Sequence, residues 1–516
     1  MDKPSVSILP IALVAIAVFS VATILRVPSC YESFWIDELH SAWVVWDDLG
    51  DVTERAKLGH QSPFYFIGLW GWKQLFGGSE LALRVSSVLT LATSCVVLTI
   101  GVTRWSKGIA AGAVAGMMLA TEINSVFFGT ELRPYALVVL FASIALVVFL
   151  PLLQTKSRHD QRWYWLTLNA AVLLAILCQP TSAGLLMLPG SLLAIWLIRD
   201  PRKFLRFNLS DAFIVISAAA VAFALWRVTL NDSWEQRNAW NSFASASNVR
   251  QIYRIWDWDW LWLAPLIVTF TACALAATIG RLRDIRGSAN SAIVLAILAL
   301  LMTTTYWFVS WMNWVPLWHR RYFIAVLPIF ACLSGAALAT LRDAIPRNQK
   351  SDAAVAIITC ILILMIPYQQ GVLKRLPQYP VALVSRGEDW RDAIQWVRFN
   401  ARPNDLIYLD AGLIENKAWL NPVVAPPQAP KMSVEQRDYL VYAILGPYAL
   451  GRKANPINAS GAISFKTGNA SRRIFLIQRR PVSRVPPSVL DSRTHAYGFG
   501  NVSVLMQSSR LDDLIL

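Results

Sequence analysis

Charge is what this sequence has least of. Only 15% of its 516 residues are Asp, Glu, Lys or Arg, and 55% are hydrophobic, where soluble globular domains carry about a quarter charged residues. The deficit is concentrated in long runs nearly without charge, each near the roughly 20 residues that cross a bilayer core. This excludes an ordinary soluble protein over most of the length. Cysteine is scarce: there are six, and none follows Cys360, so the C-terminal part has no disulfide frame. Cys95, Cys178, Cys273, Cys332 and Cys360 lie in or near apolar runs, where a thiol behaves as a small hydrophobe. There is no G-x-x-x-x-G-K-[ST] and no G-x-G-x-x-G, hence no sequence mark of a nucleotide-binding turn. There is also no internal repeat. With ionisable residues nearly absent from the runs themselves, that counts against a transporter, which carries such groups near the membrane midplane.

The apolar runs lie near 6–27, 80–103, 108–128, 132–153, 163–180, 182–198, 211–230, 258–280, 289–310, 321–341 and 353–370. The fold class they predict is a multi-pass α-helical membrane protein with about 11 spans. After Pro380 the composition becomes mixed. The domain reading is a membrane module over 1–370 and a soluble α/β domain over 371–516, with residues 28–79 as a long first outer loop. The net charge of +15 does not point to nucleic acid, because the basic residues cluster in alternate short loops. These hold Arg104 and Lys107; Lys156, Arg158 and Arg162; Arg199, Arg202, Lys203 and Arg206; Arg281, Arg283 and Arg286; Arg342, Arg347 and Lys350. The positive-inside rule places those loops in the cytoplasm. The N-terminus is then cytoplasmic, the C-terminal domain is extracytoplasmic, and the protein is integral to the cell (inner) membrane. Cys30 after Val-Pro-Ser has the shape of a lipoprotein cleavage site, but Pro28 fits it poorly, and 6–27 is read as an uncleaved anchor.

Two segments of the first outer loop read as helices, the first lying in the interface and the second re-entrant or interfacial, with a full span as its lesser alternative. Phe34, Leu39, Trp43 and Trp46 recur near helical spacing with polar groups opposite. The stretch from Pro63 to Gly77-Gly78 is apolar and aromatic but short for a span. In the C-terminal domain, Trp390, Ala393, Ile394 and Val397 mark a helix. The stretches "LIYLD", "RIFLIQ" and "VSVLMQ" read as strands.

Carboxylates stand out on this loop, above all Asp37-Glu38. Taken alone the pair fits a solvated helix face. Its alternative is a catalytic carboxylate, which needs partners on other outer segments. Glu131, in "FFGTELRPYALVV" with Arg133 and Tyr135, is one such partner: one carboxylate could act as general base, or Asp37 and Glu131 could hold a divalent cation. Arg133 offers a guanidinium fork for a phosphate. Arg320 and Arg321, in "WHRRYF" at the outer start of a span, do the same or snorkel to headgroups. His60 is one of five histidines and sits on the same acidic loop. The D-x-D triplet Asp257 to Asp259 is flanked by Trp256, Trp258, Trp260 and Trp262, and reads as an aromatic interface belt rather than a metal site.

In this order, Asp37-Glu38 after the first span, "HQSPFYF", "GGSELALRVSSVL" with Arg84, "ELRPYAL" and "RRYF…LP" resemble the integral-membrane glycosyltransferases of the GT-C fold. The similarity is to their bacterial protein O-mannosyltransferase-like and lipid A aminoarabinose transferase-like group. It covers roughly residues 6–340, and "EDWRDAIQWV" with "NDLIYLD" resembles the outer domain many members carry. Ser62-Pro63-Phe64-Tyr65 stands where Pro-Pro-Leu-Tyr is commoner. The resemblance implies inverting transfer of a sugar, hexosyl or pentosyl, from a polyprenyl-phosphate-linked donor. The acceptor would be a hydroxyl of a glycan, lipid or protein at the extracytoplasmic face. It implies Asp37 as general base, with Glu38 as second choice. It implies Arg133, Tyr135, Arg320, Arg321 and His60 at the donor phosphate. It assigns no cofactor outright; a divalent metal on Asp37 and Glu131 belongs only to a metal-dependent member. The alternative function is a polytopic transporter or flippase for a lipid-linked saccharide.

Overall fold

The computed structural model describes residues 8–154, 159–199, 220, 223, 244–345, 355, 357–361, 363–364, 385–410, 446–451, 455–456, 473–485, 487, 490 and 494–508. Most of the expected spans at 211–230 and 353–370 lies outside the described residues. In chain order the helices are α1 (Ile8–Ile24), α2 (Ile36–Val44), α3 (Leu49–Leu58), α4 (Pro63–Phe76), α5 (Glu80–Ser106), α6 (Ile109–Thr121) and α7 (Ile123–Phe128). They continue with α8 (Tyr135–Gln154), α9 (His159–Cys178), α10 (Met187–Arg199), α11 (Ala264–Thr278), α12 (Leu282–Trp311), α13 (Leu327–Ala344) and α14 (Trp390–Asn400). Seven helical segments among the described residues are long and apolar enough to cross a membrane, and Ile109–Thr121 and Arg162–Cys178 are shorter apolar helices. The chain is an integral membrane protein with a small C-terminal sheet.

It divides into two compact units. One comprises 1–30 and 84–384, the other 31–83 and 385–516. The first outer loop and the C-terminal part of the chain thus belong to one unit.

The membrane unit is built around α13, whose residues from Leu327 to Thr340 are all buried. It packs against α6, α11 and α12, while α8 pairs with α9 and α1 lies on α6. Small residues allow the closest of these approaches, as they do wherever helices associate without a hydrophobic drive from water. A Cβ added at Gly335 would stand 2.8 Å from the Ala111 carbonyl oxygen, and one at Gly112 would stand 2.3 Å from that of Thr99. The apolar run 108–128 is not one continuous helix. α6 ends at Thr121, Glu122 takes an extended conformation, and α7 restarts at Ile123 with the Glu122 carboxylate accepting from Ser125 N–H at 2.6 Å. Trp256 and Trp258 also depart from expectation. They are buried, edge-on to Phe330 at 6.1 and 5.8 Å, with Trp256 also edge-on to Phe323 at 5.4 Å, and only Trp260 of this group is exposed. Two of the four tryptophans therefore pack against Phe330 of α13.

The second unit holds a five-stranded sheet: β1 (Leu406–Asp410), β2 (Asn455–Pro456), β3 (Ile474–Gln478), β4 (Thr494–Phe499) and β5 (Val502–Gln507), in the order β2-β1-β3-β5-β4. β1 runs parallel to β2 and β3, and β5 is antiparallel to β3 and β4. α14 covers one face with Trp390, Ala393, Ile394 and Val397. Its half-buried Trp396 meets Phe475 at 6.1 Å and Tyr497 at 4.2 Å. The β4–β5 turn needs glycine: Gly500 has φ 61°, and a Cβ there would stand 2.2 Å from the Gly387 carbonyl oxygen.

A buried ion pair ties the start of β1 to β3. Arg473 contacts Asp405 Oδ2 through Nε at 3.1 Å and Nη2 at 2.9 Å, and the two side chains are 3% and 4% exposed. Removing one partner leaves an uncompensated charge out of water. Arg473→Met is therefore expected to destabilise this unit by about 3–5 kcal/mol. Pulse proteolysis of the full chain across a denaturant series reads that loss as an earlier cleavage midpoint for the C-terminal segment. An unchanged midpoint would contradict it.

The first-loop helices follow from local sequence. α4 starts with Ser62 as N-cap, its Oγ accepting from Phe64 N–H at 3.4 Å, and Pro63 at the first helical position. It ends at Gly77, φ 89°. Fourteen residues span about 21 Å, short of the roughly 30 Å hydrocarbon core. α2 departs from the expected one-sided pattern. Ile36 and every residue from Glu38 to Val44 are buried, polar Glu38, His40 and Ser41 included, and only Asp37 is half-exposed.

Candidate active site

The two carboxylates at the start of α2 have different environments. Glu38 is 1% exposed, and its Oε2 accepts from the N–H of Trp35, the N-cap residue, at 3.4 Å. It caps its own helix from the third position. Asp37 stands half-exposed at the second position, above the positive end of the helix dipole, and its carbonyl accepts from Ser41 Oγ at 3.1 Å. Of the pair, Asp37 is the more exposed. Asp47 and Asp51, further along the loop, pair with Arg55 at 2.6 and 3.1 Å, which fits a surface role.

His60 joins α3 to α4. It is half-buried with φ 55°. A second histidine of the loop, His40, was not singled out by sequence. It lies one turn after Asp37, is 4% exposed, and meets Phe66 edge-on at 6.4 Å. Gly59 makes room for it: a Cβ at that position would fall 2.2 Å from His40 Cε1. The signal available was its i, i+3 spacing from Asp37.

The backbone leading into α2 is held by residues from the C-terminal part of the same unit. Phe34 N–H donates to the Tyr448 hydroxyl at 2.8 Å, and Ile36 N–H donates to Glu388 Oε2 at 3.2 Å. Glu388 also accepts from Trp390 Nε1 at 2.9 Å and Arg479 Nε at 2.7 Å. Tyr448 donates to Glu80 Oε1 at 2.8 Å, and Arg391 Nη1 meets that oxygen at 3.1 Å. Burial first, and the Glu80 carboxylate next, push the Tyr448 phenol above its ordinary pKa, so it remains protonated and donating.

The membrane unit carries the other candidates. Glu131, 5% exposed, accepts from Ser87 Oγ at 2.8 Å and from Arg133 N–H at 2.8 Å through its backbone carbonyl. These bonds shape the tight turn that leads to Tyr135 at the start of α8. Arg133 is half-buried and Tyr135 is 3% exposed. This junction meets the segment before α13 at two points. Phe128 is edge-on to Tyr135 at 5.4 Å and to His319 at 6.4 Å, and Arg320 Nη1 donates to Asn124 Oδ1 at 3.1 Å. Asn124 Nδ2 in turn donates to Glu122 Oε1 at 2.6 Å. Arg321 N–H donates to His319 Nδ1 at 3.3 Å, and its guanidinium lies 4.9 Å from the Tyr322 ring centroid. The structure thus brings Arg320 to α7, the short helix that precedes the turn bearing Glu131, Arg133 and Tyr135. Asp37, Glu38 and His60 belong to the other unit. Glu122 and Asn124, which aim Arg320, were hidden from sequence inside an apparently continuous apolar run.

Among the described residues no group of three or more His, Cys, Asp or Glu side chains gathers as a metal-ligating set.

Neither a family model nor a curated protein sequence matches the chain. Solved structures do. ArnT from Cupriavidus metallidurans bound to undecaprenyl phosphate aligns over 98% of this chain and 98% of its own, at 16% identity and TM-score 0.50. The apo state of the same protein aligns over 97% of each chain at 14% identity and TM-score 0.49. The archaeal oligosaccharyltransferase AglB from Archaeoglobus fulgidus, in complex with an inhibitory peptide and a dolichol-phosphate, aligns over 87% of this chain and 65% of its own, at 12% identity and TM-score 0.45. Along nearly its whole length, the chain has the fold of ArnT, an integral-membrane glycosyltransferase of the GT-C class.

Proposed function

We propose that the protein transfers a sugar from a polyprenyl-phosphate-linked donor to a hydroxyl acceptor at the extracytoplasmic face, with inversion at the anomeric carbon. The observation that carries this reading is the full-length fold likeness to ArnT, which was captured with undecaprenyl phosphate. The contrast at α2 supports it: a half-exposed Asp37 beside a buried, capping Glu38. So does the alternation of basic loops, which leaves the proposed site residues on the extracytoplasmic side.

In this reading Asp37 accepts the proton of the acceptor hydroxyl as its oxygen attacks the anomeric carbon. The bond from that carbon to the phosphate oxygen breaks on the opposite face. The polyprenyl phosphate leaves with the bonding electron pair. Arg133 and Arg320 stabilise the charge that develops on it, with Arg321, Tyr135 and His60 as further donors at the headgroup. A phosphate is already a competent leaving group, so electrostatic stabilisation replaces a general acid. Glu131 shapes the turn that presents Arg133.

Proteoliposomes containing the protein, a labelled polyprenyl-phosphate hexose or pentose and an envelope extract test the proposal. The expected result is free polyprenyl phosphate released in step with label transfer to acceptor. Label that crosses the bilayer still attached to its lipid, with no release, would overturn transfer and establish a flippase.

A further inference from the structure

We propose that the C-terminal α/β part of the chain acts as a positioning module for the first-loop carboxylate, with Glu388 as its key residue. The inference rests on the reading of Asp37 as general base.

The three residues that lead into Asp37 have all their amide N–H groups assigned to side chains. Phe34 N–H goes to Tyr448 and Ile36 N–H to Glu388, while Trp35 N–H goes to Glu38 of the helix itself. The Trp35 ring has the Arg386 guanidinium 4.1 Å from its centroid and that of Arg479 at 6.0 Å. Just before them, Ser33 Oγ accepts from Arg391 N–H at 3.0 Å. Four consecutive residues are therefore held by groups more than 340 positions away in sequence. Ordinary helix capping would require only a local side chain.

Glu388 is itself fixed from behind. It is 8% exposed, and both carboxylate oxygens are engaged: Oε1 by Arg479, Oε2 by Trp390 and Ile36. Its backbone pairs with Gly500 in the β4–β5 turn, and Asn501 N–H donates to the Gly387 carbonyl at 2.6 Å. A continuous chain of contacts runs from the sheet through Glu388 to the amide immediately preceding Asp37. A catalytic group on a loop needs such support, because a displacement near 1 Å can cost about 10²-fold in rate. Glu388 is a positioning residue and touches neither substrate nor reacting atoms. It acts through the backbone of α2.

The test uses the full-length protein in nanodiscs, with three variants. Glu388→Gln keeps an acceptor oxygen for Ile36 N–H but loses the ion pair with Arg479. Glu388→Ala loses both, and Tyr448→Phe loses the acceptor for Phe34 N–H. Glu388→Ala is expected to lower kcat about 10²-fold with the KM for lipid donor unchanged, and Glu388→Gln to recover most of that loss. Amide exchange should rise at residues 34–37 in Glu388→Ala and Tyr448→Phe while the helices of the membrane unit stay protected. In the Asp37→Asn background, Glu388→Ala should add little further loss. An unchanged kcat alongside faster exchange at 34–37 would overturn the positioning role. So would a full additional loss in the Asp37→Asn background, or exchange that rises throughout the chain together with loss of activity. If the wild type transfers no sugar, the function proposal fails on its own. Unchanged exchange at 34–37 in both Glu388→Ala and Tyr448→Phe would then overturn the positioning module directly.

Discussion

Asp37→Asn is expected to leave a protein that inserts, folds and unfolds like the wild type but transfers sugar about 10²–10⁴-fold more slowly, the range for loss of a positioned general base. The substitution is isosteric and sits at a half-exposed position. The amide keeps the size and shape of the carboxylate but cannot take up the acceptor proton. Glu38→Gln provides the internal contrast. Its carboxylate is 1% exposed and caps the helix, so its loss should appear first in the unfolding midpoint rather than in kcat. Initial rates in proteoliposomes, paired with thermal unfolding of the same preparations, separate the two carboxylates. Retained transfer by Asp37→Asn would remove Asp37 from the mechanism.

The second large effect is expected at Arg320. Its guanidinium is aimed by Asn124, which is held in turn by Glu122 at the break between α6 and α7. If that guanidinium meets the departing phosphate, Arg320→Ala lowers kcat/KM for the lipid donor by about 10²–10³-fold, comparable with loss of one preorganised donor at a developing anion. Arg320→Lys restores the charge but not the fork, so it should recover only part of the loss. Asn124→Ala should give an intermediate defect, since it misdirects the guanidinium without removing it. Steady-state kinetics with varied donor read all three. A kcat/KM unchanged in Arg320→Ala would show that the phosphate is held elsewhere.

Much of the membrane unit was legible because a bilayer imposes a simple rule: spans must be long and apolar. The helices at 80–106, 135–154 and 282–311 follow that rule. α14 and strands β1, β3 and β5 were also legible, from helical or β-rich periodicity. The edge strand β4 was not, since "THAYGF" mixes polar and small residues and packs from one side. The break at Glu122 was concealed because one carboxylate in an apolar run does not change its average. What reveals it is the capping bond to Ser125, a three-dimensional fact. Asp37 was legible as a candidate; what separates it from Glu38 is burial, which adjacency in sequence cannot supply. Glu388 and Tyr448 carried no local signal at all. Their partners, Ile36 and Phe34, lie 352 and 414 residues away. The burial of Trp256 and Trp258 was hidden for a related reason: aromatic residues at a span end can face lipid or the protein core, and only their neighbours decide.

The most direct test of inverting transfer from a lipid phosphate is the anomeric configuration of the product. A donor of defined configuration, isotopically labelled at the anomeric carbon, would be incubated with the reconstituted protein and the purified acceptor. The product linkage is then assigned by NMR while free polyprenyl phosphate is quantified. The opposite anomer is expected, with one polyprenyl phosphate released per sugar transferred. Retained configuration, or sugar transferred without release of polyprenyl phosphate, would contradict it.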